Sequence, residues 1–235
     1  MGNFARNTAV LALALGVMTG PALADDEIES HRNDPLESMN RFTSGLNAVL
    51  RKGIFDPVVD IYQFINPDPI EGAISNAASN LSEPVTAISS ILQGDSENAG
   101  NAFQRFLVNS TVGIGGLGDP AAEMGIESRD EDLGQAFAAN GVEAGPHLVL
   151  PILGPTNFRD AIGDIATSLA NPLPLAGAAA AGAVEYSDNQ DLINDIGNNS
   201  LDRYVAEREA YEQNRNYEIS NGLMLLPDFE DTANR

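Results

Sequence analysis

The sequence predicts an all-α protein. Three observations carry that expectation: apolar residues recur with a helical period along most of the chain, an acid-proline helix-start signal appears twice, and a single interval looks like a strand. Hydrophobic residues make up 43% of the 235 positions, enough to bury a core, and the size suits one domain or two small ones. Against 34 acidic residues stand 12 basic ones, a net charge of −22, and only Lys52 among them is a lysine. A surface of that sign repels phosphate backbones, so nucleic acid is not an expected partner. There is no cysteine, which excludes disulfide frameworks, zinc fingers and thiolate catalysis.

Taken in order, residues 1–24 read as a secretory signal peptide. Arg6 supplies a positive start, Val10 to Met18 is an unbroken run of small and apolar residues, Gly20 and Pro21 break it, and Ala22-Leu23-Ala24 offers small residues for cleavage after Ala24. The run is shorter than the ~20 residues a transmembrane helix needs. Cleavage would make the chain still more acidic, since Arg6 is lost and every acid kept. Residues 25–33 are a short N-terminal segment, 34–220 the helical domain and 221–235 an acidic tail. No linker long enough to divide the domain is present.

Asp34-Pro35-Leu36-Glu37 and Asp68-Pro69-Ile70-Glu71 each place a capping acid, a proline at the first helical position and a glutamate at the third. Behind the first, Leu36, Met39, Phe42, Leu46, Val49 and Leu50 share one helical stripe. Val85, Ile88, Ile91 and Leu92 share a second, and Ala102, Phe103, Phe106, Leu107 and Ser110 a third. Phe158, Ala161, Ile162, Ile165, Ala166 and Leu169 repeat the pattern, and Leu201, Tyr204, Val205, Arg208 and Tyr211 form a more polar helix that Arg208 interrupts. Each stripe spans two to four turns. Such a stripe is usually the wall of a soluble core. The same stripe serves a helix lying in a bilayer interface, but such helices normally carry lysine and arginine on their polar faces, which this chain largely lacks, and period alone leaves both open. A minor strand-like segment is expected near 147–155, kept short by Pro151 and Pro155. Asn66-Pro67, Gln93-Gly94-Asp95, Asn140-Gly141, Gly154-Pro155 and Asn171-Pro172 mark turns.

Chemistry-bearing motifs are sparse. Gly113-Ile114-Gly115-Gly116-Leu117-Gly118 spells the dinucleotide pattern, but the preceding Phe103 to Thr111 has helical spacing and no buried strand. The glycines are therefore read as a loop where backbone approaches either a packed helix or a passing ligand. His31 and His147 lack a nearby nucleophile elbow and are read as structural or solvated. Asp130-Glu131-Asp132 and the acids from Asp188 to Asp195 lack the spacing of a calcium loop and are read as solvated helix starts and faces. No catalytic residue, metal site or cofactor is expected.

Several segments together resemble the MlaA/VacJ family of outer-membrane phospholipid-transport proteins. Asp34-Pro35-Leu36-Glu37-Ser38-Met39-Asn40-Arg41-Phe42 is similar to that family's opening DPLEGFNR, Asn80-Leu81-Ser82-Glu83-Pro84 to its N-L-x-E-P, and Leu92-Gln93-Gly94-Asp95 to its L-Q-G-D. Phe103 through Gly116 resembles F-x-R-F-x-x-N-x-x-x-G-x-G-G, followed by Asp119 and Ala121. Asp132-Leu133-Gly134-Gln135, Gly141-Val142, Gly145-Pro146, Leu150-Pro151, Gly154 and Arg159-Asp160 continue the match in unbroken order as far as about Pro172.

The resemblance implies a ring-like assembly of short amphipathic helices around a central channel. It implies a conduit and not an enzyme, one that draws mislocalised phospholipid from the outer leaflet and hands it to a periplasmic phospholipid carrier protein, with an outer-membrane porin as partner. The localisation implied is the periplasmic side of the outer membrane. Typical members carry an acylated cysteine, which this sequence lacks, so attachment is expected from the ring itself or from a porin. Leu175 to Val184 is mostly alanine and glycine, and matching falls away there.

A phospholipid path needs apolar side chains for the acyl chains and polar contacts for the phosphate. Asn40, Arg41, Phe42, Phe106, Gly113, Gly115, Gly116 and Leu117 are the candidates to line or gate it, the alternative being that they pack helices. Arg41 and Arg105 either hold the phosphate or pair with Glu37 and Glu83, and the spacing of Glu37 and Arg41 favours pairing. A soluble periplasmic lipid-binding or scaffold protein without a channel is the alternative function, and a lipid hydrolase a more distant one.

Overall fold

The computed structural model describes residues 34–65, 68–170 and 175–223. The expected signal peptide, the segment before Asp34, His31, most of the acidic tail and the Asn66-Pro67 and Asn171-Pro172 turns lie outside them. Nine α-helices and one hairpin make up the described residues: α1 Glu37–Leu50, α2 Asp56–Ile65, α3 Asp68–Gln93, α4 Ser96–Thr111, α5 Pro120–Glu123, α6 Leu133–Ala139, β1 His147–Leu150, β2 Gly154–Asn157, α7 Phe158–Ala170, α8 Leu175–Asn199 and α9 Arg203–Ile219.

α1 begins two residues later than the acid-proline signal suggests. Asp34 accepts from the Leu36 amide at 3.1 Å, and the Asp34 carbonyl accepts from Glu37, so Pro35 lies in a turn ahead of the helix. A widened π turn, Arg51–Phe55, joins α1 to α2. Pro57 has no amide to donate, and its ring crowds the carbonyl four residues back, at Gly53, inside that turn; widening relieves both problems. α3 and α8 run 26 and 25 residues, far longer than the stripes suggest. α3 absorbs Pro84 in its interior, and α8 carries the alanine-rich segment onward into the acidic stretch, whose carboxylates therefore sit on a helix.

Caps set the shorter elements. Asp95 accepts from the Asn98 amide and Asp119 from that of Ala122, while Asp132 and Gln135 form a reciprocal capping box at the start of α6. The hairpin pairs antiparallel with His147 opposite Asn157 and Leu150 opposite Gly154. Pro155 lies opposite Val149 in this two-stranded ribbon, where its missing amide interrupts no wider ladder.

α3 and α4 form an antiparallel pair through the tight Gly94 turn; α6 packs on α3 and α7, and β2 contacts α7. α8 spans back to α2 and α3, and α9 touches α8, α6, β2 and α1, which brings the end of the domain onto its beginning.

The interior is polar. Buried apolar residues are mostly small, among them Val85, Ala87, Ala99, Ala102, Ala121 and Ala136, and no leucine, isoleucine, phenylalanine or methionine is buried among the residues whose side chains are described. Buried polar residues include Asn40, Asn47, Asn80, Glu83, Ser89, Asn98, Arg105, Asn109, Asp160 and Arg215. The large aliphatic and phenylalanine residues of the stripes mostly face outward, whereas Val85, Ala102 and Tyr204 turn inward.

Candidate functional site

α1 shows how the inversion is built. Its inward residues are Asn40, Thr43, Ser44 and Asn47, while Phe42 and Val49 are 74% and 68% exposed. Asn40 and Asn47 stand seven residues apart, hence on one face. The Asn40 amide donates to the His147 carbonyl at 2.9 Å, and its oxygen accepts from the Val149 amide at 3.0 Å. Asn47 does the same one step along the hairpin, to Leu150 at 2.9 Å and from Ile152 at 2.8 Å. Two carboxamides thus supply the backbone partners that a third strand would otherwise provide, which suits a helix whose apolar side is turned away.

A second polar cluster fills the corner between α3, α4 and α5. The Arg105 guanidinium donates to Glu83 at 2.5 Å, to Asp119 at 2.9 Å and to the Ile126 carbonyl at 2.8 Å. Ser128 donates to the other Glu83 oxygen, and Asn109 bridges Asp119 and the Ala121 amide. Burial pushes the Glu83 carboxyl above the usual carboxylate range despite Arg105. Burial also works against ionisation of Asp119, but hydrogen bonds from Arg105, Asn109 and Ala122 outweigh it and hold Asp119 below that range.

The third cluster joins α6, α7 and α9. Arg215 donates to Asp132 at 2.6 Å and to Asp160 at 2.9 Å, and Asp160 also accepts from Arg159, Tyr211 and Asn157. Burial opposes the Asp160 charge, yet these donors hold its carboxyl well below the usual range. Beside it, His147 is buried edge-on to Tyr204 and Tyr211, with ring centroids 6.1 and 5.9 Å away and no hydrogen-bond partner on either nitrogen. Burial, aided by Arg208, lowers its pKa, so the imidazole is neutral and serves as packing.

The sequence-derived site residues fall into two of these neighbourhoods. Asn40 is fully buried as a clamp on the hairpin. Arg41, on the rim, donates to Glu37 at 2.7 Å and to Asp202 at 2.8 Å, with its guanidinium 4.8 Å from the Tyr204 ring centroid. Phe42 points outward. Phe106 is half-buried on α4, and the loop after that helix folds back on α3. Gly116, at φ +90°, lies so close to Asn80 that a β-carbon would come within 2.7 Å of its amide nitrogen. A β-carbon at Gly113 would come within 2.5 Å of the Asn109 and Gly118 carbonyls. Gly115 faces open space, and Leu117 is exposed while its carbonyl accepts from Asn76 at 3.1 Å.

The loop is therefore packed against α3 on one side and open on the other. Asn40 to Phe42 belong to the hairpin and α9, a separate neighbourhood from Arg105 and the glycines.

The ion-pair expectation has a concrete geometry: Arg41 with Glu37, Arg105 with Glu83. Every arginine among the described residues is engaged with a carboxylate. Sequence reasoning missed the Asp160–Arg215 cluster and Glu207, which accepts from Ser44, Arg51 and Arg203. The visible signal was Arg208 interrupting the α9 stripe, a hint that this helix faces a polar partner. No helix among the described residues is long and apolar enough to cross a membrane, and no acids or histidines among them gather as a metal site.

Several motif residues, among them Asn40, Asn80, Glu83, Arg105, Asn109, Gln135, Arg159 and Asp160, build this polar interior, and comparison with known proteins finds the family they resemble. The family model for the MlaA lipoprotein matches residues 32–218. A Haemophilus influenzae protein described as "Intermembrane phospholipid transport system lipoprotein MlaA" is 31% identical over 244 residues, covering 94% of each chain. The Escherichia coli protein of that description is 30% identical over 239 residues, 96% of this chain and 93% of its own. An uncharacterised Rickettsia felis protein is 35% identical over 201 residues, covering 77% of this chain and 76% of its own.

A solved structure reported as "Structural basis for maintenance of bacterial outer membrane lipid asymmetry" superimposes with a TM-score of 0.71 at 30% identity, covering 80% of this chain and 99% of that one. The helical, ring-like architecture, the motif order and the near-full-length relatives agree: this chain belongs to the MlaA family.

Proposed function

We propose that the protein is a phospholipid conduit seated in the periplasmic side of the outer membrane, which removes mislocalised phospholipid from the outer leaflet and passes it to a periplasmic carrier. The observation that carries this reading is the inverted build: polar residues bury, while Phe42, Val49, Ile91, Phe103, Ile165 and Leu169 lie open. In water such a surface is an uncompensated cost; against acyl chains it is the favourable side. The names of the Haemophilus influenzae and Escherichia coli relatives support phospholipid as the cargo.

The same build bears on attachment. A chain with net charge −22 gains little from anionic lipid head groups, so apolar contact and a protein partner, an outer-membrane porin, hold it in place. The phosphate crosses by borrowing polar contacts from residues already paired. Arg41 and Arg129, 40% and 50% exposed, are the paired arginines most open to such exchange. The loop from Gly113 to Leu117, fixed to α3 through Gly116 but open at Gly115, gates the path beside Phe106. The role is that of a conduit and not of an enzyme.

Deletion of the gene, followed by measurement of outer-leaflet phospholipid, tests the function: accumulation is expected, restored by the intact gene, and unchanged asymmetry in a strain without a second copy refutes it. Isolation from outer-membrane fractions with porin and phospholipid attached is expected in addition. Recovery from the soluble periplasm alone would favour a scaffold without a channel.

A further inference from the structure

An open groove of about 560 Å³ runs along the outer side of the α3–α4 pair, lined by Pro84, Ala87, Ile88, Ile91, Ser96, Ala99, Gly100 and Phe103. Its shape follows from residue size. Ala87 and Ala99 form a buried floor, Gly100 leaves a gap, and Ile88, Ile91 and Phe103, each at least half exposed, stand as walls. From Ser96 to Phe103 it extends for roughly 10 Å, two helical turns.

We propose that this groove holds one acyl chain of a membrane phospholipid, which rests on the membrane-seated conduit proposed above and adds to it a defined lipid seat on the exterior. Three features select that occupant. None of the eight lining residues is charged, although the chain carries −22 overall, so the groove offers nothing to a charged peptide. Leu92 and Leu107 extend its walls along the same two helices, which makes the groove continuous with the apolar exterior that the conduit turns toward lipid. At the end marked by Ser96 it adjoins the ion pair of Asp95 and Arg129, whose half-exposed guanidinium is placed for an emerging phosphate. The volume lies within the range of small-molecule sites, about 300–1,000 Å³.

Gly100 makes the test clean, because a β-carbon there meets nothing within 4 Å. Gly100→Phe fills the groove without displacing the fold. The full chain and this variant are placed in phosphatidylethanolamine and phosphatidylglycerol vesicles containing a phospholipid with a photoactivatable diazirine in its acyl chain, irradiated, and mapped by mass spectrometry, with helix content checked by circular dichroism. Labelling of Ile88, Ile91 and Phe103 is expected to exceed that of Phe42 and Ile165 several-fold and to fall to their level in Gly100→Phe, with helix content unchanged.

Equal labelling of groove and exterior, or labelling that survives the substitution, overturns the groove and leaves the membrane seat standing. Absence of label from Phe42 and Ile165 as well overturns the membrane seat and the groove with it. An unlabelled groove in a chain that runs as a dimer by native mass spectrometry assigns the surface to a second copy and also overturns the proposal.

Discussion

The interior and the exterior of this domain are made of opposite materials, and the contrast explains both its stability and its work. Inside, Arg105 and Arg215 hold carboxylates from several helices, and asparagines clamp backbone at the hairpin and beside α5. Outside, aromatic and branched side chains have no protein to cover them. In a soluble protein the hydrophobic effect would drive the second set inward. Here specific polar pairs define the fold, and the apolar area is left uncovered, as the proposed lipid-facing seat requires. The lesson is that the helical stripe indicates which residues share a face but not which solvent the face meets.

The sharpest way to break the contrast is to remove a cation from the interior. Arg105→Ala leaves Glu83 and Asp119 facing each other's neighbourhood without their shared donor, and breaking a buried pair in this way costs about 3–5 kcal/mol. Loss of most folded protein is expected, read by denaturant unfolding in detergent. A loss below about 1 kcal/mol, the scale of surface pairs, would show that the cluster is effectively solvated.

Asp160→Asn, second in size, acts through pH. Because Asp160 is held below the usual carboxylate range, its ionisation stabilises the folded state above the unfolded pKa of about 3.9, and that contribution fades as pH falls toward the folded value. The variant is expected to lose about 3 kcal/mol at neutral pH, and the gap between it and the parent should narrow below pH of about 4. Unfolding midpoints across pH 7 to 2 check this, and a gap constant with pH refutes it.

How much of this was legible beforehand differs by element. Helix class, the short hairpin and the turns at Gly94 and Asn140-Gly141 could be read, because capping chemistry and 3.6-residue period are local; Gly154-Pro155, expected as a turn, instead opens β2, and the chain reverses at Pro151 to Leu153. The π turn at Arg51–Phe55 and the through-going Pro84 could not, since each depends on neighbours absorbing an irregular backbone bond. The Arg105–Glu83 pair was among the alternatives the sequence offered, but the Arg215 cluster was illegible for a combinatorial reason: with 34 acids available to 12 cations, spacing identifies the Glu37–Arg41 pair at four residues but nothing identifies Asp132 and Asp160 as partners of Arg215. For Asn40 the sequence leaves a lipid path and helix packing both open; helix geometry turns it about 100° from Arg41 and inward to the hairpin.

The glycine loop joins the two regions, and its glycines separate the structural from the open side. Gly116→Ala forces a β-carbon onto Asn80 at a φ of +90°, with an expected cost of about 2–4 kcal/mol. Gly115→Ala meets no atoms and suffers only its positive φ, so about 1 kcal/mol is expected. If Gly115→Phe lowers outer-leaflet clearance while protein level stays normal, the open side is the gate; unchanged clearance makes the loop packing alone.

On the exterior the expected effects move from folding to membrane affinity. Phe42→Ser should shift detergent-free stability by no more than about 0.5 kcal/mol, as at ordinary surface sites, while weakening vesicle partition by about 2 kcal/mol if the ring buries in lipid. Equal effects on both measurements would mean that Phe42 packs against protein.

The smallest expected effect falls on the boundary between the two regions, at Arg41. Its pairs with Glu37 and Asp202 are substantially exposed, so Arg41→Gln should change stability by less than about 1 kcal/mol. The Tyr204 ring beneath the guanidinium adds a contact of similar size that Gln partly keeps through its stem. Stability therefore cannot distinguish a rim ion pair from a phosphate contact, but clearance can. A phosphate that must exchange with Glu37 or Asp202 for this guanidinium loses its cationic donor in Arg41→Gln and keeps one in Arg41→Lys. Clearance lost in the first variant and retained in the second, at equal protein level, makes Arg41 part of the path; clearance retained in both makes it a strut between α1 and the start of α9.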